Sequence, residues 1–164
     1  MGIRDRVSDL RTMRDLFNDA ETRARRDGRS AAAAEDLLLA AVDADEGSGR
    51  AALAAVGVTP GALADAIRDV HAAALPAETA DGIPDDALPG QGPPRGPFPS
   101  TGSFQELFTE VQRRVRGAGS RLHGAWFVLV ASEQRRGTTA RALDHLGVDR
   151  ATLASAAMEA LDRA

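Results

Sequence analysis

Cysteine and lysine are both absent from the 164 residues of this chain. Without cysteine it forms no disulfide, no thiolate nucleophile and no cysteine-ligated zinc site. Without lysine it cannot contain the Gly-x-x-x-x-Gly-Lys-Ser/Thr loop that cradles nucleotide phosphates, although it has the glycine-containing stretch GSGRAAL. All 20 basic residues are arginine, a bias typical of GC-rich coding sequences.

Long hydrophobic runs are missing as well. No stretch approaches the ~18 consecutive apolar residues of a membrane-spanning helix, and the start, MGIRDRVSDL, lacks the apolar core of a secretion signal. The net charge of −4 argues against a general nucleic-acid-binding surface, which needs concentrated basic side chains. We therefore expect a cytoplasmic protein whose partners include neither nucleic acid nor membrane. Hydrophobic residues make up 43% of the chain, enough for a core.

A proline-rich segment divides the chain into two helical halves. Residues 76–102 hold seven of the eight prolines. Because proline lacks a backbone donor and restricts the residue before it, no helix runs through this segment. On either side apolar residues recur three and four apart, as in amphipathic helices. The sequence predicts an all-α fold with repeats at 1–75 and 103–164, joined by a linker at 76–102.

Polar side chains mark several of the helix starts. Thr59 and Asp149 each precede a helical segment and are candidate N-caps. Ser30 is a candidate N-cap for the second helix. Ser103, with Glu106 three residues later, has the spacing of a capping box.

The two halves repeat each other in sequence. The matching pairs are 91 residues apart at first and 90 apart afterwards: Gly28 and Gly119, Leu39 and Val130, then Gly47 and Gly137, Gly57 and Gly147. This spacing predicts four helices per half, with one residue missing from the second half between Val130 and Gly137. Because each half alone would expose an apolar face, we expect them to pack around a pseudo-twofold axis into one domain.

The repeats resemble those of the Clp N-terminal domain, found at the front of the Clp ATPases. That repeat reads as a helix, Gly-His, a short loop, Gly-Thr-Glu-His, a leucine run, an acidic glycine-containing loop, and Leu before Gly-Val or Gly-Ile. The matching positions are Gly28, Glu35, Leu37–Leu39, Glu46–Gly47 and Leu53–Thr59 in the first copy, and Gly119, Gly124, Leu129, Gly137 and Leu143–Asp149 in the second. The resemblance implies a pseudo-twofold, eight-helix domain that docks adaptors and substrates.

The resemblance also singles out four candidate partner-binding residues. Its Gly-Thr-Glu-His stretch reads Ala33-Ala34-Glu35-Asp36 in the first copy and Gly124-Ala125-Trp126-Phe127 in the second. In ClpC-like members the glutamate helps to receive the guanidinium of phosphoarginine on marked substrates. Glu35 keeps that carboxylate, whereas Trp126 cannot supply one. The implied partner-binding set is Glu35, Asp36, Trp126 and Phe127.

Each of these residues also has a structural interpretation. A carboxylate in the first turn of a helix, such as Glu35, is stabilised by the free amides there. Trp126 and Phe127 suit burial in the core, although a partly exposed Trp126 would anchor a partner. The three histidines, His71, His123 and His145, have no metal-ligand spacing, and we assign no catalytic residue, metal or cofactor.

Two functions follow from the sequence. The first is a non-catalytic protein- or peptide-binding module of the Clp protease pathway, separate from any ATPase ring, acting as adaptor, decoy or ligand-binding regulator. Its expected partners are Clp ATPase or protease components, adaptors and client proteins, arginine-phosphorylated clients among them. The alternative is a helical DNA-binding regulator, since GTTARALDHLGVDRATLASAA has a helix-turn-helix cadence. Four arginines in this stretch or just before it are able to contact phosphate: Arg135, Arg136, Arg141 and Arg150.

Overall fold

The described part of the chain is built from helices. The structure is a computed structural model that describes residues 3–74 and 100–164, with side chains from Asp9 onwards. The eight helices within these ranges are α1 Ile3–Arg26, α2 Ala34–Asp43, α3 Ser48–Ala55, α4 Pro60–Ala74, α5 Gly102–Ala118, α6 Gly124–Glu133, α7 Thr138–His145 and α8 Arg150–Asp162. The all-α, eight-helix prediction is confirmed. Most of the predicted linker, residues 76–99, lies outside the described residues, and the predicted repeat boundaries stay predictions.

The two halves repeat in structure with a register that differs from the sequence prediction. The helices α2, α3 and α4 start at Ala34, Ser48 and Pro60, and α6, α7 and α8 start 90 residues later in each case. Gly28 and Gly119, which follow α1 and α5 with positive φ, remain 91 apart. The residue that the second half lacks relative to the first is therefore missing between Gly119 and α6. The prediction that placed the loss after Val130 is wrong.

The core is organised around α2 and α6, which pack against each other. Nine consecutive residues are buried in each, Ala34–Val42 and Gly124–Ser132. The buried stretch of α2 includes two carboxylates, Glu35 and Asp36, whereas that of α6 is apolar except for Ser132. Because neither stretch has a solvent-exposed face, both helices are enclosed by their neighbours. Edge-to-face contacts of Phe17 with Phe104 and Phe108, at centroid distances of 5.1 and 4.8 Å, join α1 to α5 at one side of this core.

Helices of one repeat cover the core of the other. The first-repeat helix α3 packs on α6 and α8, while α4 packs on α7 as well as on α2. The same relation holds with the repeats exchanged, because α7 also packs on α2. Neither repeat therefore closes its own hydrophobic core.

Glycines permit the closest helix contact between the repeats. A Cβ atom on Gly124 would lie 2.7 Å from Glu46 Oε1 and closer still to the carbonyl oxygen of Ala41. A Cβ atom on Gly49 of α3 would lie 2.9 Å from that same carbonyl and 3.2 Å from the backbone of Gly124. The junction of α2, α3 and α6 thus has no room for side chains at these positions.

Two of the predicted helix caps are present. Thr59 Oγ1 accepts a hydrogen bond from the Ala62 amide at 3.1 Å, and Asp149 Oδ2 accepts one from the Thr152 amide at 2.9 Å. These bonds satisfy amides that the first turn leaves without an intrahelical partner.

The two predicted serine caps are wrong. The second helix begins after Ala33, whose extended backbone precedes α2, so Ser30 caps nothing. The fifth helix is capped by Thr101, whose Oγ1 accepts from the Phe104 amide at 3.4 Å. Ser103 instead lies 2.9 Å from Thr101 Oγ1 and accepts from the Ala34 amide at 3.4 Å. In place of a local capping box, it links the start of α5 to the start of α2.

Candidate partner-binding site

Glu35 lies in the first turn of α2 and is only 3% exposed. Its Oε1 lies 3.0 Å from Nε2 of His71 on α4. The His71 side chain is 28% exposed, so the imidazole has access to solvent that the carboxylate beneath it lacks. The predicted guanidinium-binding carboxylate is therefore occupied by a side chain of the same repeat.

Asp36 is buried and fully engaged. Its two carboxylate oxygens each accept a hydrogen bond of 2.6 Å from the guanidinium of Arg29, and Oδ2 also accepts from the Ala33 amide at 2.9 Å. Burial raises the pKa of Asp36, against the opposing hydrogen bonds from Arg29. Burial of the Arg29 charge acts to lower its pKa, but the pKa is raised overall by the hydrogen bonds and charges of Asp36 and its acidic neighbours Asp27 and Glu35. This ion pair fixes the start of α2.

Trp126 and Phe127 both lie in the core. Trp126 is 9% exposed, and its indole N–H donates to Ser120 Oγ at 3.0 Å. Phe127 is completely buried. The structure thus favours the burial interpretation for both rings.

The correct register changes which residues correspond between the repeats. The Asp36 amide donates to the Ala33 carbonyl at 3.1 Å, and the Trp126 amide donates to the His123 carbonyl at the same distance. Trp126 is therefore the counterpart of Asp36, and the pairing of Trp126 with Glu35 is wrong. The counterpart of Glu35 is Ala125. The second repeat still lacks a carboxylate at this position.

Side chains of the first repeat accept hydrogen bonds from the free backbone amides at the start of α6, a contact that the sequence did not indicate. Glu46 Oε1 accepts from the Gly124 amide at 2.5 Å, and Ser48 Oγ accepts from the Ala125 amide at 3.0 Å. Ser48 Oγ in turn donates to Glu46 Oε1 at 3.0 Å, and His123 Nδ1 lies 3.6 Å from Glu46 Oε2. Glu46 appears in the sequence only as part of an acidic loop, 78 residues before the amide that it caps.

Residues 3–74 and 100–164 contain no metal-binding cluster and no single membrane-spanning helix. No group of three or more His, Asp or Glu side chains in these ranges is arranged to hold a metal ion. None of the helices there is alone long and apolar enough to cross a bilayer. The pair α3 and α4 qualifies by length and composition together, but the two are bent by 79°.

These features define the structural class of the chain. The chain is a duplicated four-helix domain in which the polar groups at the starts of both central helices are spent on hydrogen bonds within the chain.

Comparison with known families agrees with this class. The model of the Clp repeat (R) N-terminal domain family matches residues 11–121, more than half of the chain, and the chain belongs to that family. Domains of this family are non-catalytic and bind substrates, adaptors and other partners of the Clp pathway. The resemblance read from the sequence is confirmed.

One solved structure shows the same fold over nearly the whole chain. It is the N-terminal domain of the caseinolytic protease associated chaperone ClpD from Arabidopsis thaliana. The sequences are 18% identical, the TM-score is 0.55, and the match covers 93% of this chain and 91% of that one. No curated protein matches the chain by sequence.

Proposed function

We propose that this chain is a protein-binding module of the Clp protease pathway that acts without catalysis as an adaptor, a decoy or a ligand-binding regulator. The observation that carries the proposal is that all eight described helices belong to the duplicated Clp N-domain fold. The absence of lysine supports it, because these 164 residues contain no nucleotide-binding loop of the Walker type. The contribution of this chain is therefore the binding step.

The proposed contact residues are Glu35 and Asp36 at the start of α2 and Trp126 and Phe127 at the start of α6. They form two separate contacts, because the start of α6 lies against Ala41 near the end of α2. Glu35 becomes accessible to a guanidinium, including that of an arginine-phosphorylated client, when His71 turns away from it. Trp126 offers the 9% of its surface that remains exposed. Asp36 and Phe127 support these contacts from the interior. Asp36 does so through its ion pair with Arg29, and Phe127 through its packing in the core.

The DNA-binding alternative gains no support. The Arg150 guanidinium donates to the carbonyl of Ala140 at 2.8 Å and to Asp144 Oδ1 at 2.6 Å, and it also bonds the carbonyl of Gln134. One of the four arginines considered for phosphate contact is therefore committed to holding α7 and α8 together.

Co-purification from lysate of the native host, quantified by mass spectrometry, tests the proposal. The comparison uses the wild-type chain, Glu35→Gln, and Glu159→Gln on the exposed surface of α8 as the charge-matched control. Glutamine keeps the shape of the buried side chain and removes its charge. We expect wild type and Glu159→Gln to retain Clp subunits or adaptors, and Glu35→Gln to lose most of them.

A second variant separates partner access from folding. In His71→Ala the cover over Glu35 is removed, so recovery of the same partners is expected to rise. If only DNA-associated or unrelated proteins are recovered with every variant, the proposed function is wrong. If Clp components are recovered equally with all variants, the function stands and the Glu35 contact is wrong.

A further inference from the structure

A cleft of about 570 Å³ lies between α1 and the loop that joins α2 to α3, away from the Glu35 carboxylate. Leu16 of α1 and Ala40 of α2 form apolar parts of its lining, and Arg121 from the loop before α6 lines it as well. Its volume is in the range of pockets that enclose small ligands or single side chains of a partner. None of the family-derived candidate residues lines it.

The lining of this cleft carries an excess of negative charge. Two guanidiniums, of Arg23 and Arg121, face it together with five carboxylates: Asp15, Asp19, Asp43, Asp45 and Glu46. A concave surface lined by one sign of charge concentrates ions of the opposite sign. The cleft therefore attracts cationic groups and repels phosphate.

The Arg23 side chain shows that a guanidinium fits between the two walls of the cleft, which are α1 and the end of α2. Its Nε donates to Asp19 on α1 at 2.9 Å, and its Nη2 donates to Asp43 at the end of α2 at 2.7 Å. One guanidinium of the chain itself thus spans both walls of the cleft. Planar, multi-donor geometry of this kind is what pairs arginine with two separate carboxylates.

Carboxylates beyond this bridge remain available. Asp15 lies one helical turn before Asp19, with 68% of its side chain exposed and a 3.5 Å contact to Arg14. In the described part of the chain the Asp45 side chain makes no hydrogen bond or ion pair. No three of these groups are arranged to hold a metal ion.

We infer that this cleft binds an extended segment of a partner protein through unphosphorylated arginine or lysine side chains placed between Asp15 and Asp45. The inference rests on the proposed function in that the ligand is a protein segment. A phosphorylated arginine brings additional negative charge into the same field and is excluded. This surface therefore takes a different ligand from the Glu35 region.

Fluorescence anisotropy with the full chain tests the inference. The probe is a short fluorescein-labelled peptide of alternating alanine and arginine, compared with its phosphoarginine and glutamine versions. The variant Asp15→Asn with Asp45→Asn removes two exposed charges of the cleft. Its control, Asp65→Asn with Asp162→Asn, makes the same change in net charge at exposed positions outside the cleft lining.

We expect the cleft variant to weaken binding of the arginine peptide by about tenfold and the control variant by less than about twofold. Binding is also expected to weaken as salt is raised. Equal losses in both variants, tighter binding of the phosphoarginine peptide, or no binding by the wild type would each overturn the inference. Asp45→Lys, which reverses one exposed charge, should weaken binding further than Asp45→Asn alone.

The same variants keep this inference distinct from the proposed function. If Clp components co-purify with the Asp15→Asn, Asp45→Asn chain as well as with wild type, and wild type does not bind the arginine peptide, only the cleft inference fails. If the arginine peptide binds as expected but no Clp component co-purifies, only the proposed function fails.

Discussion

The Ser48 hydroxyl forms hydrogen bonds at the starts of two helices that belong to different repeats. It accepts from the Ala125 amide at the start of α6 and donates to Glu46, whose other oxygen accepts from the Ser48 amide at the start of α3. Removing one member of a buried polar network leaves its partners unsatisfied, which costs more than the net value of one hydrogen bond.

Ser48→Ala is therefore expected to lower the free energy of unfolding by about 1–3 kcal/mol, measured by urea denaturation. The matched control is Ser155→Ala on the exposed side of α8, where the change should stay within about 0.5 kcal/mol. Similar losses in both variants would show that the Ser48 bonds contribute nothing specific.

The surface ion pairs of Glu110 predict a pH dependence of stability. Hydrogen bonds from Arg113 and Arg114 lower the pKa of Glu110 from 4.5 to about 2. Because the pKa is depressed in the folded state, the stabilisation is present above about pH 4.5 and is lost as the pH falls from there through 2. Glu110→Gln should therefore cost less than about 1 kcal/mol at neutral pH, since the ion pairs are solvent-screened. The cost should shrink as the pH falls from 4.5 through 2, where the carboxylate is half protonated in the folded state.

Urea denaturation at a series of pH values measures this difference. Glu106→Gln is the control on the same helix, because the Glu106 carboxylate forms no hydrogen bond or ion pair among the described residues. A difference between wild type and Glu110→Gln that stays constant down to pH 2 would contradict the assigned pKa.

The residues of the candidate site were visible in the sequence, but their partners were not. Asp36 bonds Arg29 seven residues away, whereas Glu35 meets His71 36 residues away on another helix. Local spacing places a carboxylate in the first turn of a helix, but it cannot show which distant side chain the fold brings over it. For the same reason the sequence left the burial of Trp126 open.

At the scale of the helices, the contact of α6 with α2 and α3 predicts opposite effects for two glycine substitutions. Gly124→Ala places a methyl group against the Ala41 carbonyl and the Glu46 carboxylate, and should destabilise by about 2 kcal/mol or more. Gly117→Ala on α5 meets nothing within 4 Å and should stabilise by about 0.5–1 kcal/mol, because alanine favours helix over glycine.

Thermal unfolding of the two single variants checks this pair. Both changes add the same methyl group to a helical glycine, at the first residue of α6 and one residue before the end of α5. If both variants gain stability, α6 does not approach its neighbours as closely as described.

The sequence predicted the start of a helix correctly where the capping side chain lies beside that helix in the chain. It predicted the start incorrectly where contacts with distant residues determine it. Thr59 and Asp149 cap amides three residues ahead, which sequence spacing can show. Ser30 does not cap α2 because the residues that follow it are held in an extended conformation. Ala32 forms a parallel bridge with Ser100, and the Ala32 carbonyl accepts a hydrogen bond from the Thr101 amide at 2.8 Å. This pairing delays the start of α2 to Ala34.

At the scale of the whole molecule, the packing of each repeat on the core of the other predicts a single unfolding transition. Trp126, the only tryptophan, lies on α6 and reports on the second repeat by fluorescence, whereas circular dichroism reports on all helices. We expect the two signals to change at the same urea concentration. Ser48→Ala in the first repeat should shift both midpoints equally, and separate transitions would show that the repeats fold independently.

The caps of the two central helices also bear on how the duplication can have diverged. The start of α6 depends on Glu46 and Ser48 of the first half, whereas the start of α2 carries its own Asp36–Arg29 pair and a bond from Ser103. At the positions that match Glu46 and Ser48, the second half has Arg136 and Thr138. A chain made of two second halves would therefore lack the carboxylate that accepts from the first amide of α6. The two halves are no longer interchangeable.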